Sequence, residues 1–535
     1  SDAHPENEKK INVGFITAKS IAGDIDARNI VAAGVGTFIG ASSFSADATI
    51  NSITVGKGAG SVAGNTVVGE SALDAVTTGG SNTAIGKDAL GATTTGASNV
   101  AVGSQALDAN TTGEENTAIG TDSLGGNTTG NRNTALGNDC LVSNTTASDN
   151  TGIGHDVLKT NTTGANNTGV GRGSLGANTT ASNNTAVGRS AMAANTTGTY
   201  NTALGAYTLT NQTTSNNNTA VGYYALDQNT TGTGNVAVGA NALDTSTTGA
   251  EQVAIGYLAL EANTTGNYNT AVGARSLDAN TTGSYNVAVG RVSLSAATTG
   301  ANNVAVGHKA LGSGVVTGNN NIAIGYEALD ANTTGAQNIG IGYQALDANT
   351  TGLNNVAVGA NALGNATTAD TNTAFGHSAA AAITTGYDNV AIGALALATA
   401  TTQYQNVAVG YEALTDNTNN NCVAIGFQAA KNNTSGNVQA FGRRALFTNT
   451  TGTNLTAVGY QALNSNTTAD NNTAVGYNAL YTNSTGYENV AVGQETLEAN
   501  STGHTNTAVG YKALEANTTA NGNTACGAYA LYVNT

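Results

Sequence analysis

Residues 269–285 read NTAVGARSLDANTTGSY, and this stretch decides the fold because most of the chain repeats it. The general pattern is N-T-A-V-G-Y-x-A-L-D-A-N-T-T-G-x-x, whose residues we number as positions 1 to 17 from the first Asn. Its T-A-V and A-L segments favour short strands, whereas Gly and N-T-T-G are turn signals. A repeat of this length, poor in helix formers, predicts one coil of a parallel β-solenoid per unit.

The glycine at position 5 marks 28 copies of the unit between Gly69 and Gly527. The spacing is 17 residues except for one step of 18 after Gly307 and two steps of 16 after Gly410. We therefore predict an all-β parallel β-solenoid, or β-roll, of about 28 seventeen-residue coils.

Two segments follow from where the repeat begins. Residues 65–535 carry the repeat and are predicted to form a β-solenoid shaft. Residues 1–64 lack it, and we predict an irregular β segment there that serves as an attachment or connector. At ~4.8 Å per coil the shaft would be a rod of ~130 Å.

Composition excludes several classes of protein. The 535 residues include 17 Lys and Arg against 33 Asp and Glu, a net charge of −16, so no basic patch is expected for nucleic acid. An apolar share of 39% argues against disorder, and a single Pro argues against collagen. No apolar run reaches ~18 residues, so we expect no membrane insertion.

Side-chain alternation assigns provisional faces to the strand residues. Position 4 is large and apolar, as at Ile119, and position 9 is Leu, as at Leu277, so both are predicted to form core ladders. Positions 3 and 8 are small, as at Ala288 and Ala345, and carry almost no charge. We expect identical chains to pack on this small-residue face; the alternative is a narrow corner inside one chain that admits only Ala. Arg at Ala288 or Ala345 would then split or unfold the assembly, whereas Arg at Tyr343 would do little.

The polar positions have separate expected roles. Asn at positions 1 and 12, as at Asn116 and Asn127, is expected to stack in side-chain amide ladders. The glycines at positions 5 and 15, as at Gly120 and Gly130, are expected to need positive φ. Position 6 varies widely, as solvent-facing positions do.

No catalytic, cofactor-binding or metal-binding residue is predicted, and receptor-binding residues cannot be assigned. The residues considered are His4, His155, His308, His377, His504, Cys140, Cys422, Cys526, Asp108, Asp227, Asp347 and Glu498. Three of the histidines share the exposed position 6 on distant coils, so they cannot meet at one metal within a chain. The cysteines substitute into the repeat, Cys526 for the position-4 Val and Cys140 for the position-8 Ala, and we expect buried thiols. The acidic residues at position 10 lack the paired geometry of a glycosidase. We therefore expect no enzyme.

Two families share these motifs. Residues 99–107, NVAVGSQAL, resemble the head repeats of trimeric autotransporter adhesins, which are homotrimeric left-handed β-rolls that bind host surfaces. Residues 472–486, NTAVGYNALYTNSTG, resemble repeats in the long tail fibres of tailed phages, and residues 13–50 are similar to the irregular segments that precede such repeats. The resemblance implies a homotrimeric fibre.

The leading hypothesis is a structural protein, the shaft of a virion tail fibre that presents a receptor-binding tip. Its expected partners are further copies of the chain, virion tail or baseplate proteins, and a host cell-surface glycan or protein reached through the distal tip. The alternative is a bacterial surface adhesin whose β-roll head binds the host directly. A third hypothesis is an ice-binding solenoid that uses rows such as Thr111–Thr112. The last unit stops after thirteen residues, so we expect the chain to be part of a longer protein.

Overall fold

A computed structural model describes residues 47–50 and 52–533 of the chain. Contacts between residues divide the chain into two units, Ser1–Ala46 and Asp47–Thr535, and the described residues belong to the second. Within this described part, the secondary structure consists of 30 short strands and one 3-10 turn, Ala59–Ser61, without an α-helix. The predicted all-β class is confirmed.

The strands are numbered in chain order, and each coil from β3 onward contributes one strand around positions 2 to 4. They are β1 Ala48–Ile50, β2 Ile53–Gly56, β3 Thr66–Gly69, β4 Thr83–Ile85, β5 Val100–Val102, β6 Thr117–Ile119, β7 Thr134–Leu136, β8 Thr151–Ile153, β9 Thr168–Val170, β10 Thr185–Val187, β11 Thr202–Leu204, β12 Thr219–Val221, β13 Val236–Val238, β14 Val253–Ile255, β15 Thr270–Val272, β16 Val287–Val289, β17 Val304–Val306, β18 Ile322–Ile324, β19 Ile339–Ile341, β20 Val356–Val358, β21 Thr373–Phe375, β22 Val390–Ile392, β23 Val407–Val409, β24 Val423–Ile425, β25 Val438–Phe441, β26 Leu455–Val458, β27 Thr473–Val475, β28 Val490–Val492, β29 Thr507–Val509 and β30 Thr524–Cys526.

Strands β3 to β30 stack in one parallel sheet, because each pairs with the strand of the following coil. Residues at the same repeat position lie side by side, as Ala271 and Ala288 do. The 18-residue unit keeps this register, since Ala305 pairs with Ala323. The β-solenoid with one coil per unit is therefore confirmed.

The expectation of a second strand at positions 8 and 9 is wrong. These residues form a turn in which Arg275 and Leu277, at positions 7 and 9, both have φ of 54°. The left-handed conformation is costly for residues with a Cβ atom. Bonds to the next coil hold it nevertheless, as where the Leu277 amide donates to the Ser293 carbonyl at 3.0 Å.

Position 4 does not lie in the core, contrary to the prediction. Ile119 is 38% exposed, whereas Ala288 at position 3 and Leu277 at position 9 are completely buried. A strand of three residues points only its central side chain inward, and the outer two face away. The interior in front of that central residue is filled by the position-9 ladder, so only a small side chain fits. The Leu ladder itself is confirmed.

Packing of identical chains on the Ala face is also wrong. Ala288 and Ala345 are fully buried within a single chain, so the narrow interior that admits only Ala is the correct alternative. Arg at either residue would place an unpaired charge inside the coil and disrupt the chain itself.

The two Asn ladders are confirmed, and they converge on one acceptor. The side-chain amide of Asn116 donates to the Gly130 carbonyl at 2.8 Å, and that of Asn127 donates to the same oxygen at 3.0 Å. Along the stack, Asn127 also donates to the side-chain oxygen of Asn110 at 3.0 Å. Position 1 in addition supports the backbone, because the Asn116 main-chain amide donates to the Asn99 side chain at 3.0 Å. These buried amides hold the turn backbone of every regular coil.

The glycines at positions 5 and 15 differ in backbone conformation and in their surroundings. Gly120 at position 5 has φ of +136°, as expected. Gly130 at position 15 does not have a positive φ; instead, a Cβ there would lie 2.2 Å from the Ala147 carbonyl oxygen of the next coil. The expectation of positive φ is therefore wrong for position 15, where the backbone of the next coil approaches Gly130 closely. Other coils have Ala at this position, as at Ala147 and Ala181.

A hairpin covers the first edge of the stack. Strands β1 and β2 are antiparallel, and β2 pairs antiparallel with β3, with Val55 beside Val68. The Asp47 carboxylate accepts bonds from the Lys57 and Gly58 amides at 2.7 Å each. The hairpin occupies part of the predicted N-terminal segment, whereas residues 1–46 and 51 lie outside the described residues.

Candidate functional site: the outward faces of the coils

The histidines lie on the surface, apart from one another. His155 and His377 are exposed at position 6, and His155 contacts Asp156 at 2.6 Å. His308, half-buried, stacks on Tyr326 with ring centroids 5.4 Å apart. Position 6 therefore faces solvent, as predicted. His504 is half-buried and stacks on Tyr487 outside this row, and His4 lies outside the described residues.

The cysteines divide into two buried thiols and one exposed thiol. Burial raises the pKa of the Cys140 thiol to about 12 and that of Cys422 to about 11, so neither is a nucleophile near neutral pH. Cys422 occupies position 1, where its sulfur lies 3.2 Å from the Gly436 carbonyl oxygen. Cys526 occupies position 4 and is exposed, which corrects its expected burial.

Two acidic clusters were not predicted from the sequence, and each contains one lysine in contact with two of its carboxylates. Asp139, His155 and Asp156 lie together, but Lys159 contacts Asp156 at 2.7 Å. The Lys159 hydrogen bond lowers the pKa of Asp156. Because a lysine already supplies the positive charge, we regard this cluster as an ion-pair network.

The second cluster lies near the last coils. Glu495, Glu498 and Glu515 come together there, and Lys512 contacts Glu495 at 2.9 Å and Glu515 at 2.8 Å. Hydrogen bonds to both carboxylates raise the pKa of Lys512. The ammonium group therefore remains charged among the carboxylates, as it does in the first cluster.

An uncharged apolar stripe runs along the outer face of the sheet. It consists of the side chains at position 4, which is Val, Ile, Leu, Phe or Cys in all 28 coils. Position 2, on the same face, is Thr in 15 coils and Val, Ile or Gln in the others. Leu136, Leu204 and Phe375 are 43%, 49% and 42% exposed. A long exposed surface of this kind marks an interaction site in a water-soluble protein.

Aromatic rings form ladders beside the stripe. At position 6 the rings of Tyr326 and Tyr343 stack with centroids 5.5 Å apart. At position 17 the rings of Tyr268 and Tyr285 stack at 4.9 Å. The parallel register of the coils brings these rings together, because the same position recurs one coil further along.

A groove of about 410 Å³ lies between Asp156 and Ala193, lined by residues at positions 6, 7 and 10. Its basic residues are Lys159, Arg172 and Arg189, from three consecutive coils. No sequence pattern had predicted this groove. The signal was present, because two Arg residues recur at the same repeat position 17 residues apart, around a coil with Gly173 at a position that usually bears a side chain.

Half-buried carboxylates occupy position 10 of several coils. Desolvation by burial raises the pKa of Asp108, of Asp278 and of Asp347. They are one to a coil, as the sequence analysis expected. The prediction that the chain is not an enzyme stays a prediction.

Comparisons with known proteins yield no relative for this arrangement. No protein-family model matches the sequence, and no curated protein or solved structure matches it either. The outward faces of the coils are therefore interpreted from their own geometry.

Across residues 47–50 and 52–533, no helix has both the length and the apolar character needed to cross a membrane.

Proposed function

We propose that the repeats of residues 65–535 form the shaft of a homotrimeric structural fibre. The fibre is a virion tail fibre that holds a receptor-binding tip away from the particle. The observation that carries the proposal is the continuous apolar stripe at position 4. It accompanies a parallel stack of 28 strands that advances by one coil at every step. Such a stack acts as a spacer about 130 Å long, because it has 27 intervals of ~4.8 Å.

The apolar stripe supports association between shafts along their length. Side chains at position 4 repeat in every coil and are all exposed or half-buried. Together they expose on the order of 1,000 Å² per chain, above the ~800 Å² per partner of a standard interface. No charged residue occurs at positions 2 or 4 in any of the 28 coils. Exposure of these apolar side chains to water is unfavourable. Packing the stripe against identical stripes of other chains would remove the side chains from water.

Other faces of the coil differ from the stripe. Position 6 carries side chains as different as Lys87, Arg189 and Tyr223, all exposed. A surface that varies in charge and size from coil to coil cannot pack closely against identical copies. Position 6 therefore remains outside the proposed contact between chains.

The number of chains and the biological setting rest on the resemblance. The similarity of residues 99–107 to autotransporter heads, and of residues 472–486 to phage tail fibres, favours three chains. In this proposal the partners are virion tail or baseplate proteins at one end and a host surface glycan or protein beyond the other. The setting is an extracellular virion, and the bacterial cell surface is the alternative.

Antibody labelling distinguishes these two settings. Antibodies raised against residues 65–535 should decorate fibres of tailed virions in electron micrographs, and unattached protein should scatter X-rays as a rod of ~130 Å. Decoration of the bacterial surface in the absence of virions would overturn the tail-fibre assignment in favour of an adhesin. A compact particle in solution scattering would overturn the fibre itself.

A further inference from the structure

We propose that the groove bounded by Lys159, Arg172 and Arg189 binds an anionic saccharide, with a carboxylate or sulfate group held between the two guanidinium groups. This binding site goes beyond the proposed structural role. It does not depend on whether the shaft belongs to a virion or to a cell surface.

The groove exists because one coil lacks two side chains. Gly173 and Gly176 stand at positions 7 and 10, where the preceding coil has Asp156 and Lys159. A Cβ atom added at Gly173 would come no nearer to other atoms than 3.9 Å, from the Ser190 hydroxyl oxygen. The space is therefore open to a ligand.

The two arginines form a pair of uncompensated positive charges. Arg172 and Arg189 share position 6 of consecutive coils, and a 2.9 Å bond from the Ser190 amide to the Arg172 carbonyl fixes their relation. Among the described residues neither guanidinium forms an ion pair, whereas Arg132 is bonded to Asp149 at 2.7 Å. The backbones of Arg172 and Arg189 are ~4.8 Å apart and both residues line the groove, so an anion bound there would offset the positive charge of both.

The remaining charges limit the size of the anion. Lys159 also lines the groove and contacts Asp156 at 2.7 Å, so that pair is nearly neutral. The whole chain carries a net charge of −16. A long polyanion such as nucleic acid would extend onto acidic coils, so the groove favours a ligand with one anionic group.

A cluster of aromatic rings continues from the groove. The Arg189 guanidinium lies 5.4 Å from the centre of the Tyr207 ring, and Tyr207 stacks on Tyr224 with centroids 5.1 Å apart. Tyr223, which is 51% exposed, packs edge-on against Tyr224 at 4.3 Å. An acidic sugar combines a carboxylate or sulfate for the arginines with a C–H face for the exposed Tyr223 ring and hydroxyl groups for Ser190. The groove is lined by charged residues, glycine, Ser190 and Ala193, so it offers no apolar pocket or strand edge to an uncharged peptide.

Calorimetric titration of the full chain at low ionic strength tests the proposal. The probes are oligogalacturonate, a sulfated dextran oligosaccharide, inorganic sulfate and uncharged maltotetraose. We expect one or both anionic oligosaccharides to bind, the preferred one identifying the anionic group, and maltotetraose not to bind. Equal affinity for inorganic sulfate, or the absence of oligosaccharide binding at millimolar concentration, would overturn the assignment to a saccharide.

Three variants locate the binding. The double substitution R172Q/R189Q and the groove-filling substitution G173Q should each weaken binding at least tenfold. Gln is compatible with the backbone of position 7, since Gln105 and Gln344 occupy it with φ of 58° and 50°. The matched control is R291Q, at position 6 of a coil outside the groove, and it should bind as the parent does. Equal loss in R291Q would show unspecific charge attraction and would contradict the site.

Discussion

The coils of residues 355–405 and those of residues 422–471 depart from the repeat in opposite ways. The first group keeps Asn at position 1 and has apolar residues at position 12, namely Ala366, Ile383 and Ala400. The second group keeps Asn at position 12 and replaces it at position 1, with Cys422, Val438 and Leu455. All six replacements are buried. Either Asn ladder can thus become apolar over three coils.

What both regions preserve is a donor for the carbonyl at position 15. In the first region the Asn372 side chain donates to the Gly386 carbonyl at 2.8 Å. In the second, the Asn449 side chain donates to the Gly452 carbonyl at 3.0 Å. A buried carbonyl without a partner costs ~1–3 kcal/mol, so at least one of the two Asn residues is retained. The need to satisfy the position-15 carbonyl therefore explains why each coil retains Asn at position 1 or position 12, although neither ladder is continuous.

The second region also replaces side-chain bonds by backbone bonds. Strands β25 and β26 each have four residues instead of three, because Val438 pairs with Leu455. The Leu455 amide donates to the Asn437 carbonyl at 3.3 Å, where a regular coil would use an Asn side chain. The strand is thus longer where the amide ladder is missing.

The largest effect is expected from removing both donors of one coil. The double variant N116L/N127A leaves the Gly130 carbonyl without either side-chain bond, and it should destabilise the shaft by ~5 kcal/mol. The two single variants should sum to ~1–2 kcal/mol less than the double variant. Urea unfolding of the four proteins of this cycle measures the difference, and strict additivity would contradict the shared acceptor.

A smaller difference in stability is expected between the single substitutions N372L and N116L, both at position 1. N372L removes the only Asn donor to the Gly386 carbonyl and should cost ~1–2 kcal/mol more than N116L, after which Asn127 still serves Gly130. Leu is a fair replacement because Leu455 occupies the same position. Hydrogen exchange of amides in the two coils should show greater local opening in N372L; equal opening would count against the account.

The pH dependence of local stability should differ between the coils that directly precede the two regions, residues 338–354 and 406–421. Burial raises the pKa of Asp347 above the ordinary value of 3.8, so its coil is most stable when the carboxyl is protonated and loses stability as pH rises through the raised pKa. Near the second region, the Lys431 hydrogen bond lowers the pKa of Glu412, so stability there is lost as pH falls through the lowered pKa. Acidification from pH 7 toward pH 4 should therefore slow hydrogen exchange, corrected for intrinsic rates, in the coil of Asp347 but not around Glu412.

The matched variant is D347N. Because solvent screens a half-exposed carboxylate, it should gain only ~0.3 kcal/mol at pH 7, with the gain vanishing at low pH. A gain that persists unchanged at low pH would show that the Asp347 charge is not its source.

The smallest effect concerns thiol reactivity. Cys422 in the amide ladder and Cys140 in the core should resist a thiol reagent at pH 8 in the folded protein, since burial raises both pKa values. Cys526, on the exposed stripe, should react in separated chains, and all three should react after unfolding. Modification of Cys422 as fast as Cys526 would contradict the burial of the position-1 ladder.

Periodicity predicted much of the fold. The spacing of the position-5 glycines predicted the length of each coil, and the recurring Asn residues predicted the side-chain amide ladders. It could not decide which strand face is inward. Positions 3 and 4, as at Ala288 and Val289, are both apolar, and only the space left by the Leu277 ladder shows that the smaller side chain points in. The groove depends on absent side chains at Gly173 and Gly176, whose effect emerges only when three coils are stacked.

Sedimentation equilibrium tests the central claim, that shafts associate through the position-4 stripe. The parent should sediment at three times the chain mass of 52.7 kDa. A variant with V272K, V289K and V306K, which charges three consecutive coils of the stripe, should sediment as one folded chain with unchanged β circular dichroism. Tyr343→Arg, on the exposed position 6, should remain trimeric. A parent that sediments at 52.7 kDa at micromolar concentration would contradict the account.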